Sequence, residues 1–159
     1  MTQDSSHLLH FYDGWKPYQD LLVEAIRPLT NEQLAIRAAP QLRQLWELAA
    51  HILSARVYWF HRVLGEGSAE LAPMMTWDDE GMPQRDAGSL ISGFTQTWML
   101  IEACLRRWTA DDLDELKTTG NGSQVSRQWV IWHVIEHDLH HGGEFSFTLG
   151  MNGLAAPDL

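Results

Sequence analysis

The sequence predicts an all-α fold, a four-helix bundle with crossover connections, on three observations. Apolar residues recur every three or four positions through four long segments, β-branched alternation is scarce, and the Gly and Pro clusters fall mainly between the segments. With 159 residues, 45% of them hydrophobic and 20% charged, the chain is expected to form a single domain over residues 1–159 with a sizeable core. A disordered or collagen-like chain is excluded by the same composition.

The first helix is expected over 6–29, with Asp4, Ser5 and Ser6 as candidate caps and Leu8, Phe11, Trp15, Leu22 and Ile26 on its apolar stripe. Pro17 sits inside it as a candidate kink. A capped turn at Thr30-Asn31-Glu32-Gln33-Leu34 follows. The second helix spans 42–64, with Leu45, Leu48, Ile52, Trp59 and Val63 facing inward and Gly65 and Gly67 ending it. Residues 65–86 hold Gly, Pro and the acidic run Trp77-Asp78-Asp79-Glu80, which reads as a long connection and a candidate lid. A third helix over 87–108 leads to a second capped turn at Thr109-Ala110-Asp111-Asp112-Leu113. The fourth runs over 125–149, after the Gly120-Asn121-Gly122-Ser123 loop, and no strand is expected.

Eleven Lys and Arg against 21 Asp and Glu give a net charge of -10, which argues against nucleic-acid backbones and acidic membrane surfaces as partners. No apolar run approaches the roughly 20 residues of a membrane span. The single Cys104 makes neither an intramolecular disulfide nor a Cys-based zinc site and is expected to be a small buried hydrophobe. The opening MTQDSSHLLH lacks a leader pattern, so a cytoplasmic protein is expected. Of the eight Trp, Trp15, Trp46, Trp59, Trp98, Trp108, Trp129 and Trp132 fall at packing positions. Trp77 either caps a pocket or anchors its loop.

The chemistry concentrates in the fourth helix, where four of the eight His lie between His133 and His141. At roughly 100° per residue, His133, His137, His140, His141 and Glu144 share an arc of about 100°. Histidines at i and i+4 can reach one divalent ion at about 2.0–2.1 Å, and a third ligand must come from another helix. His51, at the edge of the second helix's apolar stripe, is the best candidate for it, whereas His61 beside Arg62 is expected to be solvated. His133-Val134-Ile135-Glu136-His137 also matches the H-x-x-E-H string of inverted zinc proteases, but Glu136 falls at roughly -100°, off the histidine arc. An apolar face of Ile131, Trp132, Ile135 and Leu139 lies opposite that arc and suggests a homodimer.

Leu48-Ala49-Ala50-His51-Ile52-Leu53 and Glu136-His137-Asp138-Leu139-His140-His141-Gly142-Gly143-Glu144, the latter similar to an E-H-x-x-H-H-R-G-Q pattern, resemble the DinB-like (DinB/YfiT) four-helix-bundle superfamily over essentially the whole chain. The resemblance implies a divalent metal, zinc or nickel and in some members iron or manganese, held by His51, His137 and His141. Gly142 and Glu144 depart from the pattern's Arg and Gln. Characterised relatives are mostly thiol S-transferases that use bacillithiol, mycothiol or glutathione, including a mycothiol-dependent maleylpyruvate isomerase. The implied function is therefore a metal-dependent thiol S-transferase or hydrolase acting on a small molecule through an activated thiol or water, with a low-molecular-weight thiol as co-substrate. His133, His140 and Glu144 are then the residues expected to orient a ligand or move a proton. The competing reading is a non-catalytic metal-binding or interaction module.

Overall fold

The computed structural model describes residues 7–159, so the proposed caps Asp4, Ser5 and Ser6 lie outside the described residues. In chain order the helices are α1 (His7–Phe11), α2 (Trp15–Ile26), α3 (Asn31–Leu34), α4 (Leu45–Val57), α5 (Ala87–Arg107) and α6 (Arg127–Met151). A π-helical turn (Tyr58–Val63) extends α4, and 3₁₀ segments cover Ala69–Thr76 and Ala110–Asp114. The fold is the expected all-α bundle, with α4 packed against α5 and α6, and α2 against α5.

The boundaries differ from the sequence reading where local chemistry overrides periodicity. The first helix is two helices, broken across Tyr12-Asp13-Gly14 instead of at Pro17. Pro17 stands in the first turn of α2, where its missing N–H has no intrahelical acceptor to lose. Helix α4 starts at Leu45, not at 42, because Gln44 adopts extended backbone and shares a capping box with Glu47. A short antiparallel hairpin, β1 (Leu116–Thr118) and β2 (Gln124–Ser126), replaces the loop expected before α6. Gly122, at φ +86°, lies in the connection between these strands. Ser126 then caps α6 by accepting from Trp129 N.

The candidate lid is a packed connection. Leu71 and Met74 of its 3₁₀ segment are buried in the core, Ser54 donates to Met75 O at 2.7 Å, and Trp77 lies under the Arg85 guanidinium. Trp77 therefore anchors the segment. Of the other Trp, Trp15, Trp46, Trp98 and Trp108 are buried, Trp59 is half-buried, and Trp129 and Trp132 are exposed on the single chain. The supposed apolar face of α6 is also split, since Ile131 is fully buried while Trp132 and Leu139 are exposed.

The core has an apolar cluster at either end and a polar centre between them. Each of the four long helices contributes a polar residue to that centre. Arg56 of α4, with 0% exposure, donates to Asp138 of α6, Gln19 of α2 and Thr97 of α5. Trp15 Nε1 also donates to Asp138 Oδ2 at 2.7 Å. Every charge in this centre is thus partnered, as burial demands. The pair Arg56–Asp138, at 2.5 Å, fixes α4 against α6 five residues beyond His51 and immediately after His137.

Candidate metal centre

The packing of α4 on α6 brings His51, His137 and His141 together, with one potential ligand atom from each lying within 4.8 Å of the others. Nε2 of His137 and Nε2 of His51 face each other at 3.1 Å. That separation is close to the about 3.3 Å between two nitrogens bound tetrahedrally to one ion at about 2.0–2.1 Å. The donor set and its spacing therefore fit a divalent metal.

The outer nitrogens of two of these rings are held by carboxylates. His51 Nδ1 donates to Asp78 Oδ2 at 2.6 Å, and His141 Nδ1 donates to Glu144 Oε2 at 2.6 Å. Each bond keeps the ring proton on Nδ1 and leaves the Nε2 lone pair as the donor, the usual support for a metal-binding imidazole. His137 Nδ1 is buried with no partner among the described residues. Burial, followed by the proximity of His141 and His51, pushes the His137 pKa down to about 3, and burial also lowers that of His141. These two rings are thereby kept in the neutral form that a metal requires. Burial pushes the Asp78 carboxyl upward, but the hydrogen bond from His51, with the Ser54 hydroxyl close by, outweighs it and holds the group below its usual value.

The other named residues lie around the cluster. His133 stacks on Trp129 at 4.7 Å, meets Trp59 edge-on and bonds Glu136 through Nδ1 at 2.9 Å. Its ring centre is 6.3 Å from that of His137, so it is a neighbour of the triad and not a member. His140 is exposed, with Nε2 3.7 Å from Glu144 Oε1, and groups with His141 and Glu144 on the outer side. His61 is half-buried and bonds Glu66 O at 2.8 Å, a backbone contact that replaces the expected solvation. Asp78 was missed by the sequence reading. Its only signal there was membership of the acidic run 77–80, which does not say which carboxylate turns inward.

Gly142 has a packing reason. A Cβ at this position would come within 2.0 Å of the Tyr18 hydroxyl, which donates to Asp138 O at 3.0 Å. The approach of α2 therefore leaves no room for a side chain at 142, and the Arg of the related pattern cannot be accommodated without displacing Tyr18.

A family model described as mycothiol-S-transferase matches residues 16–147. In structure, the chain is similar to a DinB-like protein from Bacillus cereus (TM-score 0.72, 22% identity, covering 94% of this chain and 95% of that one). It is also similar to a DinB-like protein from Bacillus subtilis (TM-score 0.65, 20% identity, covering 99% and 97%). A third similar structure is a conserved protein from Enterococcus faecalis (TM-score 0.65, 15% identity, covering 95% and 96%). No functionally curated protein matches the chain in sequence. With the family model matching most of its length, the chain belongs to the mycothiol-S-transferase family, and it shares its fold with DinB-like proteins.

Proposed function

We propose that the protein is a divalent-metal-dependent thiol S-transferase acting on a small molecule, with His51, His137 and His141 as the metal ligands. The observation that carries this reading is the convergence of three imidazoles from two helices, two of them held at Nδ1 by Asp78 and Glu144. Three nitrogen ligands suit zinc or nickel. A dication held there would stabilise the thiolate of a low-molecular-weight thiol, whose free pKa is about 8.5.

The chain's own residues supply the rest. Asp78 and Glu144 orient His51 and His141. Glu144 Oε1, the oxygen not engaged by His141, accepts the proton from the incoming thiol and passes it to solvent. The sulfur lone pair then forms a C–S bond to the electrophilic carbon of the acceptor, and the leaving group departs with its bonding electrons. The sulfur comes from the co-substrate, because Cys104 is buried and burial, reinforced by Glu66, pushes its thiol up to about 12. No described helix is long and apolar enough to cross a membrane, and the reducing cytoplasm is the compartment that keeps such thiols available. The exposed Trp132 and Leu139 of α6, with Phe11 of α1, supply an apolar surface for a second copy of the chain.

Elemental analysis of protein grown in metal-replete medium, followed by a screen of small thiols against electrophilic acceptors, tests the reading. One ion per chain is expected, and His51→Ala should lose both ion and turnover while keeping its helical circular dichroism. Absence of stoichiometric metal overturns the proposal. Stoichiometric metal without turnover for any thiol favours a binding module instead.

A further inference from the structure

A cleft of about 450 Å³ lies between the 38–48 segment and the C-terminal half of α6, beside the histidine cluster. Its walls include Leu42, Leu48, Phe147 and Thr148, and its lining carries two charged residues, Arg43 and Glu144. Glu144 belongs to both the cleft and the cluster, through the bond its Oε2 accepts from His141.

Arg43 stands apart among the cations of this acidic chain. Of the 11 Lys and Arg, seven sit in ion pairs, Arg37 donates to backbone carbonyls, and Arg85 lies over the Trp77 ring. Among the described residues, Arg43 and Arg62 have no such partner, and of these two Arg43 lines the cleft. Although 21 Asp and Glu are available, Arg43 does not pair even with Glu144 in the same cleft.

An exposed guanidinium left free at the edge of a half-apolar cleft offers planar donors that match a carboxylate. A single cation beside Glu144 is a poor seat for a phosphate, which carries more charge. The net charge of -10 repels anions at long range, but that repulsion is largely screened beyond about 8 Å at physiological salt, so the local group decides.

We propose that Arg43 recognises a carboxylate on the acceptor substrate, so that the cleft takes a small organic acid whose apolar body lies along Leu42, Leu48 and Phe147. This rests on the reading of the histidine cluster as the reacting centre, which Glu144 joins to the cleft.

The test uses the metal-free protein, so that the affinity of a bound ion for carboxylates does not enter. Titration with 3-phenylpropionate and with its neutral analogue 3-phenylpropionamide, followed by amide NMR shifts, should show the acid binding about tenfold tighter, with shifts at Phe147 and Thr148. Arg43→Gln should equalise the two probes, and Arg43→Lys should restore part of the preference. Equal binding by the wild type, binding of neither probe, or a preference that survives Arg43→Gln overturns the proposal. A preference lost in Arg43→Gln, in a chain that takes up no metal, would leave the cleft assignment standing and remove the metal-dependent reaction. Stoichiometric metal and turnover without any acid preference would do the reverse.

Discussion

Asp78 Oδ2 accepts a hydrogen bond from His51 Nδ1 at 2.6 Å, tying the connection between α4 and α5 to the histidine cluster. The contact makes the orientation of His51 depend on a residue outside the helix that carries it. Asp78→Ala should weaken zinc binding about 10- to 100-fold while the fold is retained. Competition with a colorimetric chelator measures this directly, and an unchanged affinity would show that Asp78 only packs against the ring.

The centre of the bundle makes a second prediction. Asp138→Ala leaves Arg56 buried without its counter-charge and should cost about 3–5 kcal/mol in urea denaturation. Replacing both residues together, as Arg56→Met with Asp138→Leu, should recover most of that loss because no charge is then stranded. A loss below about 1 kcal/mol for the single variant would mean that Arg56 finds another partner or water.

The state of Cys104 fixes a pH dependence. Its pKa rises from 9.0 to about 12 in the fold, with burial as the main cause. The folded chain therefore keeps a proton that the unfolded chain releases, so this group's contribution to stability is complete below pH 9 and is lost progressively as pH rises toward 12. At pH 8 a thiol reagent should label the native protein far more slowly than the urea-unfolded protein. Equal rates would place the sulfur in contact with solvent.

The exposed part of α6 concerns assembly. If Trp132 and Leu139 meet a second copy, Leu139→Glu should convert a dimer to a monomer in sedimentation velocity without loss of helix content. A wild-type chain that sediments as a monomer at micromolar concentration removes the dimer from the reading.

Much of the fold was legible because helix periodicity and capping are local. The extents of α5 and α6, and the capped turns at Thr30 and Thr109, follow from residues within a few positions of one another. The break at Gly14 and the short hairpin before α6 were not legible. Apolar spacing runs on through Tyr12 to Trp15, and strands of three residues carry too little alternation to register. The packed 65–86 connection was read as a lid, since the burial of Leu71 and Met74 and the contact of Trp77 with Arg85 emerge only when α4 and α5 are in place.

The sequence by itself determined that α6 presents His137 and His141 on one side, because residues four apart share a face, and it singled out His51 as their partner. Tertiary structure decided the rest of the site. Asp78 lies 27 residues from His51, and Asp138 lies 82 residues from Arg56. Arg43 shares a cleft with Glu144 only across the fold. Contacts between distant segments depend on the angle and register at which helices pack. Those are set by the summed fit of the core side chains and by the buried Arg56–Asp138 pair, not by any short stretch of chain.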